Sequence, residues 1–82
     1  MMFRWINKQG VEKDGEFSLQ RIDRFHFEYS EKGNSIVIPS EPGFPYSEIF
    51  LSSVVATGDN FDHISKNVAD ALRFMGHKFR IV

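Results

Sequence analysis

Three histidines, a scatter of carboxylates and two adjacent serines are the side chains here that could carry chemistry, and their spacing argues against most of it. His26, His63 and His77 share neither the i, i+2 nor the i, i+4 spacing that would place two imidazoles on one metal ion. No metal site is expected; His77, just past a helical stretch, is expected instead to favour the negative end of that helix. Ser52-Ser53 lacks the glycines of a nucleophile elbow and suits local hydrogen bonding at a strand end. Glu28 and Glu48 could form a carboxylate pair on neighbouring strands, but solvated charges on an outward face are the expected use. Lys32-Gly33-Asn34 and Thr57-Gly58-Asp59 each hold a single glycine, so they read as turns and not as phosphate-cradling loops. The second leads into a helix N-terminus, where capping is the expected role. The expectation is a non-catalytic chain with no cofactor and no metal.

Composition narrows the field further. There is no cysteine, which removes disulfides and thiolate chemistry and suits a cytoplasmic address. Ten Lys and Arg against eleven Asp and Glu give a formal charge of −1. That balance argues against a nucleic-acid binder, whose affinity needs a basic surface. Arg4, Lys78 and Arg80 would make a small basic edge if the terminal strands adjoin. Met1 to Ile6 is hydrophobic but too short for a signal peptide, and no window approaches a membrane span.

Positioning falls to one helix and several strands within a single domain, residues 1–82, since the chain is too short for two cores. From Asp59 to Met75, Phe61, Ile64, Val68, Ala71, Leu72 and Met75 recur at helical spacing. Asp62, Lys66, Asp70 and Arg73 take the other side, with Asp62 and Lys66 spaced as an i, i+4 ion pair. Asp59 or Asn60 is the expected cap, and Gly76 the left-handed stop. Upstream, Glu16 to Gln20 places Phe17 and Leu19 on one side of a strand. Arg24 to Ser30 places Phe25, Phe27 and Tyr29 on one face, with His26, Glu28 and Ser30 on the other. A turn at Glu31 to Asn34, with positive φ at Gly33 and Asn34, should fold Ser35 to Ile38 back as a hairpin. Three prolines make Pro39 to Pro45 an exposed loop. Glu48 to Ser52, running on through Val54 and Val55, and Lys78 to Val82 complete the strands. Met2 to Ile6 adds one more, and Asn7 to Gly15 is expected as a loop.

The fold class is therefore α+β: a mostly antiparallel sheet of five or six strands, one amphipathic C-terminal helix on one face, and a short final strand. One helix cannot cover both faces of such a sheet. The uncovered face, with His26 and Glu28, is a candidate partner surface. Strand aromatics at period two are expected in the core, not stacked on RNA bases as in an RNA recognition motif. Trp5 is expected in or near the core, and would be an interface anchor if exposed. Phe44 and Tyr46, at the end of the proline loop, should fold back as a lid; the alternative is an aromatic tip offered to a partner.

The stretch Phe3-Arg4-Trp5-Ile6-Asn7-Lys8-Gln9-Gly10-Val11, with Phe17-Ser18-Leu19-Gln20 and Arg24-Phe25-His26-Phe27-Glu28-Tyr29, resembles small uncharacterised bacterial proteins. The order of hairpin, third strand, helix ending at Met75-Gly76 and short last strand is similar to immunity protein family 74. The likeness covers most of the chain; it departs at Val55-Ala56-Thr57, where family members often carry a Trp. The resemblance implies a bacterial protein that binds a toxin and blocks it sterically, without catalytic residues. Function is thus expected to be protein binding through Trp5, His26, Glu28, Phe44 and Tyr46, with self-association as the first alternative and nucleic-acid binding as the second.

Overall fold

The structure is a computed structural model that describes residues 2–82. Alternating apolar and polar residues become seven strands: β1 (Phe3–Asn7), β2 (Gly10–Lys13), β3 (Phe17–Asp23), β4 (His26–Glu31), β5 (Asn34–Glu41), β6 (Ser47–Ile49) and β7 (Phe79–Ile81). They lie side by side in sequence order in one sheet. Every neighbouring pair is antiparallel except β6 and β7, which run parallel because helix α1 (Asp59–Met75) carries the chain back between them.

The helix matches its sequence signature. Ile64, Val68, Ala71 and Leu72 are buried against Val11, Leu19, Phe27, Ile38, Ile49 and Leu51 from the sheet and the turn after it. Burying each such aliphatic or aromatic side chain stabilises the fold by about 1.5–3 kcal/mol. Gly76 ends the helix at φ 83°, a left-handed conformation that a side chain would strain, and His77 N–H closes onto Leu72 O at 3.0 Å. At the other end Gly58, not Asp59 or Asn60, is the cap, and no side chain caps the helix. Asp59 and Asp62 still favour the positive end of the dipole. The ion pair on the outer face joins Lys66 to Asp70 at 3.0 Å, in place of the expected Asp62–Lys66 pair. Asp70 also sits 3.4 Å from Arg73, so it gathers one cation from the turn before it and one from the turn after.

The sheet departs from expectation where pairing is non-local. The expected loop from Asn7 to Gly15 contains β2, whose Val11 and Lys13 are buried between β1 and β3. Gly10 opens that strand because a Cβ there would lie 2.5 Å from Gln20 Cβ on β3. The β3 strand runs on to Asp23, so Arg24 and Phe25 become the turn and β4 starts only at His26. Phe25 therefore leaves the core face that Phe27 and Tyr29 keep, and is half exposed.

At the next hairpin the positive φ values fall on Lys32 and Gly33, with Glu31 opposite Asn34. β5 then continues through Pro39 to Glu41, against the expectation of a loop from Pro39. Ser40 N–H donates to Phe25 O at 2.7 Å, and ladder bonds alternate in direction. The Pro39 nitrogen is thus turned away from β4, toward a flank where β6 has ended at Ile49. The missing donor costs one bond at the end of a ladder. Strand β6 is also shorter than expected: Leu51–Ser53 forms a 3-10 turn, with Ser53 Oγ donating to Phe50 O at 2.7 Å. No helix among the described residues is long and apolar enough to cross a membrane.

Candidate functional site

Four regions bring together side chains that could meet another molecule. The first is the face of the sheet away from the helix. Residues alternating with the buried Val11, Leu19, Phe27 and Tyr29 stand there, and they pair with one another across the strands. Arg4 binds Glu12, Asn7 donates to Gln20 at 2.9 Å, Gln20 donates to Glu28 at 2.9 Å, and Ser30 meets Ser35 at 2.7 Å. Glu28 is thus held by Gln20. It lies two strands from Glu48, with β5 between, so the imagined carboxylate pair does not form. His26, at the start of β4, meets the Asp23 carboxylate at 2.8 Å. That bond, with Phe25 N–H, holds the Asp23 carboxyl below its usual range. The strand rings that RNA stacking would need are buried: Phe27 and Tyr29 face the helix.

A second region is the aromatic margin where β1 passes the helix. Trp5 lies opposite Val11 and is 51% exposed rather than buried. Its ring is 6.0 Å from Phe74, which stacks on Phe3 at 5.3 Å. Phe74, half exposed, was not legible as part of this cluster because it lies off the helix's apolar stripe. Arg4 on β1 and Arg80 on β7 stand at opposite edges of the sheet, so the expected basic edge is not assembled.

The third region ties the tip of the β4–β5 hairpin to the helix. Asn67 Nδ2 donates to Tyr29 Oη at 2.9 Å, Tyr29 donates to Glu31 Oε1, and His63 Nε2 meets the two Glu31 oxygens at 2.9 and 3.0 Å. With a proton on Nε2 toward Glu31, the 3.4 Å approach of Asn67 Nδ2 to the same nitrogen sets donor against donor. The working chain is therefore Asn67 to Tyr29 to Glu31, with His63 closing on the same carboxylate. The Tyr29 hydroxyl and the His63 imidazole hold the Glu31 carboxyl below its usual range. Burial, with the adjacent carboxylate, pushes the Tyr29 phenol above its usual value. Beside this chain is a cleft of about 270 Å³ lined by Lys32, Asn34, Ile36, Asn60 and Ile64 as well as Tyr29, Glu31 and His63. Its one carboxylate is already engaged twice, so the arrangement fastens helix to hairpin. Asn67 carried a signal that could have been found: a polar residue four positions from His63 within the buried stripe.

The fourth region is the loop from Pro42 to Tyr46. Phe44 stands at its tip, 98% exposed, and the Phe44–Pro45 peptide is cis. It is a tip and not the expected lid. Tyr46, at the margin of exposure, accepts a hydrogen bond from Arg80 Nη1 at 3.2 Å. At the base of the loop Glu41 and Glu48 face each other across β5 and β6. Like charges directly opposite on a ladder are unfavourable. A hollow of about 270 Å³ runs from these carboxylates to the two aromatic rings, lined also by Pro42, Gly43 and Pro45.

Known relatives add nothing to this geometry. No family model, curated protein or solved structure matches the chain.

Among the described residues no group of three or more His, Cys, Asp or Glu is placed to hold a metal ion. The histidines lie apart: His26 with Asp23, His63 with Glu31, and His77 edge-on to Phe27 at 6.2 Å. His77 also corrects its expected role. Burial, reinforced by Arg21, lowers its pKa, which disfavours the cation that the helix end was expected to hold.

Proposed function

We propose that this chain is a non-catalytic protein-binding domain, and that its partner meets the Pro42–Tyr46 loop. The observation that carries this reading is Phe44. A phenylalanine at a loop tip with 98% of its surface in solvent contributes nothing to the core. Aromatic anchors of this kind dominate the energetics of many interfaces. The proline-rich loop limits the conformational entropy lost on binding. Glu41 and Glu48, crowded against each other beside the rings, favour a partner that brings a cation to them.

The resemblance to immunity protein family 74 makes a toxin the specific partner in this reading. The chain would act as a steric cover, which needs a binding surface and no reactive group. The engaged state of Glu31 and His63 in the hairpin cleft is compatible with that. The test is capture from the native organism's lysate on purified wild-type and Phe44→Ala protein. The reading expects one stoichiometric partner on the first bait, absent from the second. Production of that partner alone should arrest growth, and co-production of this chain should relieve it. A partner whose production is harmless would overturn the toxin assignment, and recovery of the chain alone would overturn the hetero-partner reading.

Self-association is the second reading, favoured by β1. That strand is an edge with its outer backbone groups unpaired by the sheet, and it carries Trp5 half exposed beside Phe74. A mass that doubles with concentration, and no longer does so in Trp5→Ala, would support it.

A further inference from the structure

At the turn between β3 and β4 two arginines, Arg21 and Arg24, line one hollow, and neither has an ion-pair partner among the described residues. Arg21 lies over the Phe27 ring, with its Cζ 5.3 Å from the centroid, and Arg24 lies over Phe25 at 5.7 Å. Arg21 Nε is buried with no hydrogen-bond acceptor. A buried, unpaired donor on a cation is costly, and the face of an aromatic ring offsets only part of that cost. The other groups around the site do not supply the missing charge. Gln9 is neutral. Asp23, the one carboxylate present, is turned to its own turn, accepting from Phe25 N–H at 2.8 Å and meeting His26 Nδ1 at 2.8 Å. On the helix side His77 lies against the same Phe27 ring and feels the Arg21 charge, so it supplies no anion.

We propose that this hollow of about 340 Å³, lined by Gln9, Arg21, Ile22, Asp23 and Arg24, binds a phosphate monoester between the two guanidiniums. Phosphate suits it better than a carboxylate. A carboxylate has two oxygens and is satisfied by one guanidinium fork, whereas a dianionic phosphoryl group offers three terminal oxygens and can engage both forks. Arg21, laid on Phe27 and positioned by the ladder opposite it, is the pre-organised half of the clamp. Arg24, exposed on the turn, is the half that adjusts. The site shares no lining residue with the hollow beside Phe44.

The test is an NMR titration of the whole protein with inorganic phosphate at constant ionic strength, balanced with chloride. Saturable shifts are expected in the amides from Arg21 to Phe25 and in the His77 ring. Arg24→Gln, which removes an exposed side chain and should fold normally, is expected to weaken binding about tenfold or more, as loss of a charge-assisted hydrogen bond does. Arg21→Lys keeps the charge but loses the fork, and should weaken it likewise. A nucleoside 5′-monophosphate and O-phosphoserine, titrated in parallel, distinguish the source: whichever binds more tightly than phosphate itself identifies the rest of the ligand. Acetate binding as tightly as phosphate would overturn the proposal. So would shifts that stay linear in phosphate, or that are unchanged in both arginine variants.

Discussion

Across the uncovered face of the sheet, Arg4 meets Glu12, Asn7 and Glu28 meet Gln20, and Ser30 meets Ser35. At the tip of the Pro42–Tyr46 loop, Phe44 meets nothing. Both regions face solvent, and both were candidates for a partner surface. The sheet face satisfies its own hydrogen-bonding groups, so a partner would have to displace internal bonds to use them. The loop offers a bare ring and two opposed carboxylates, whose demands a partner can meet without breaking anything. Surface polarity alone does not separate the two regions; what separates them is whether each group already has a partner.

The largest effect should come from the layer beneath both regions. Leu72, fully buried under the helix, is expected to cost about 2–5 kcal/mol of stability when replaced by Ala, read by chemical denaturation. Such a loss would weaken partner capture only through the unfolded fraction. Phe44→Ala should do the opposite. It is expected to lower affinity for the captured partner by about 2 kcal/mol or more, roughly 30-fold. Stability should stay within about 0.5 kcal/mol, as for surface positions without structural roles. Gln20→Ala should sharpen the contrast from the sheet side. Losing its two cross-strand bonds is expected to cost about 1 kcal/mol of stability, with affinity unchanged.

The smallest effect is a pH dependence that touches neither surface. Glu31 has a folded pKa depressed below the ordinary value, chiefly by the Tyr29 hydroxyl and then by His63. Its contribution to stability is fully present above the unfolded pKa and is lost as pH falls through the folded one. His77 behaves the same way from a higher starting point. Burial depresses its folded pKa below 6.5, so stability is lost as pH falls from about 6.5 toward that folded value. Thermal melts should therefore weaken in two acid steps. Glu31→Gln should shrink the lower step, to which Asp23 also contributes, and leave the upper one.

Much of the scaffold was legible before the structure. The helix announced itself through Ile64, Val68, Ala71 and Leu72, and Gly76 marked its end, because both signals are local and repeat at a fixed period. Phe17 with Leu19 and Phe27 with Tyr29 likewise gave their strands away. What escaped was set by distant pairing. The β2 strand is only four residues long and is defined by its two neighbours, so Asn7 to Gly15 read as a loop. Pro39 read as a strand breaker because the side on which its missing donor would fall depends on where β6 ends. Alternation in the sequence predicts Phe25 in the core, but in the chain it stops at the turn before β4. The hairpin-to-helix link was invisible for the same reason: Glu31 and His63 are 32 residues apart, and neither alone signals the other. Of the candidate surface residues, exposure at Phe44 and Trp5 required knowing what lies nearby, which composition cannot say.

The most direct test is a side-by-side affinity measurement of the captured partner, by calorimetry, against wild type, Phe44→Ala and Glu28→Ala. The expected result is a loss of roughly 30-fold or more for Phe44→Ala and wild-type affinity for Glu28→Ala. Undiminished binding by Phe44→Ala together with lost binding by Glu28→Ala would contradict the account and return the partner to the open face of the sheet.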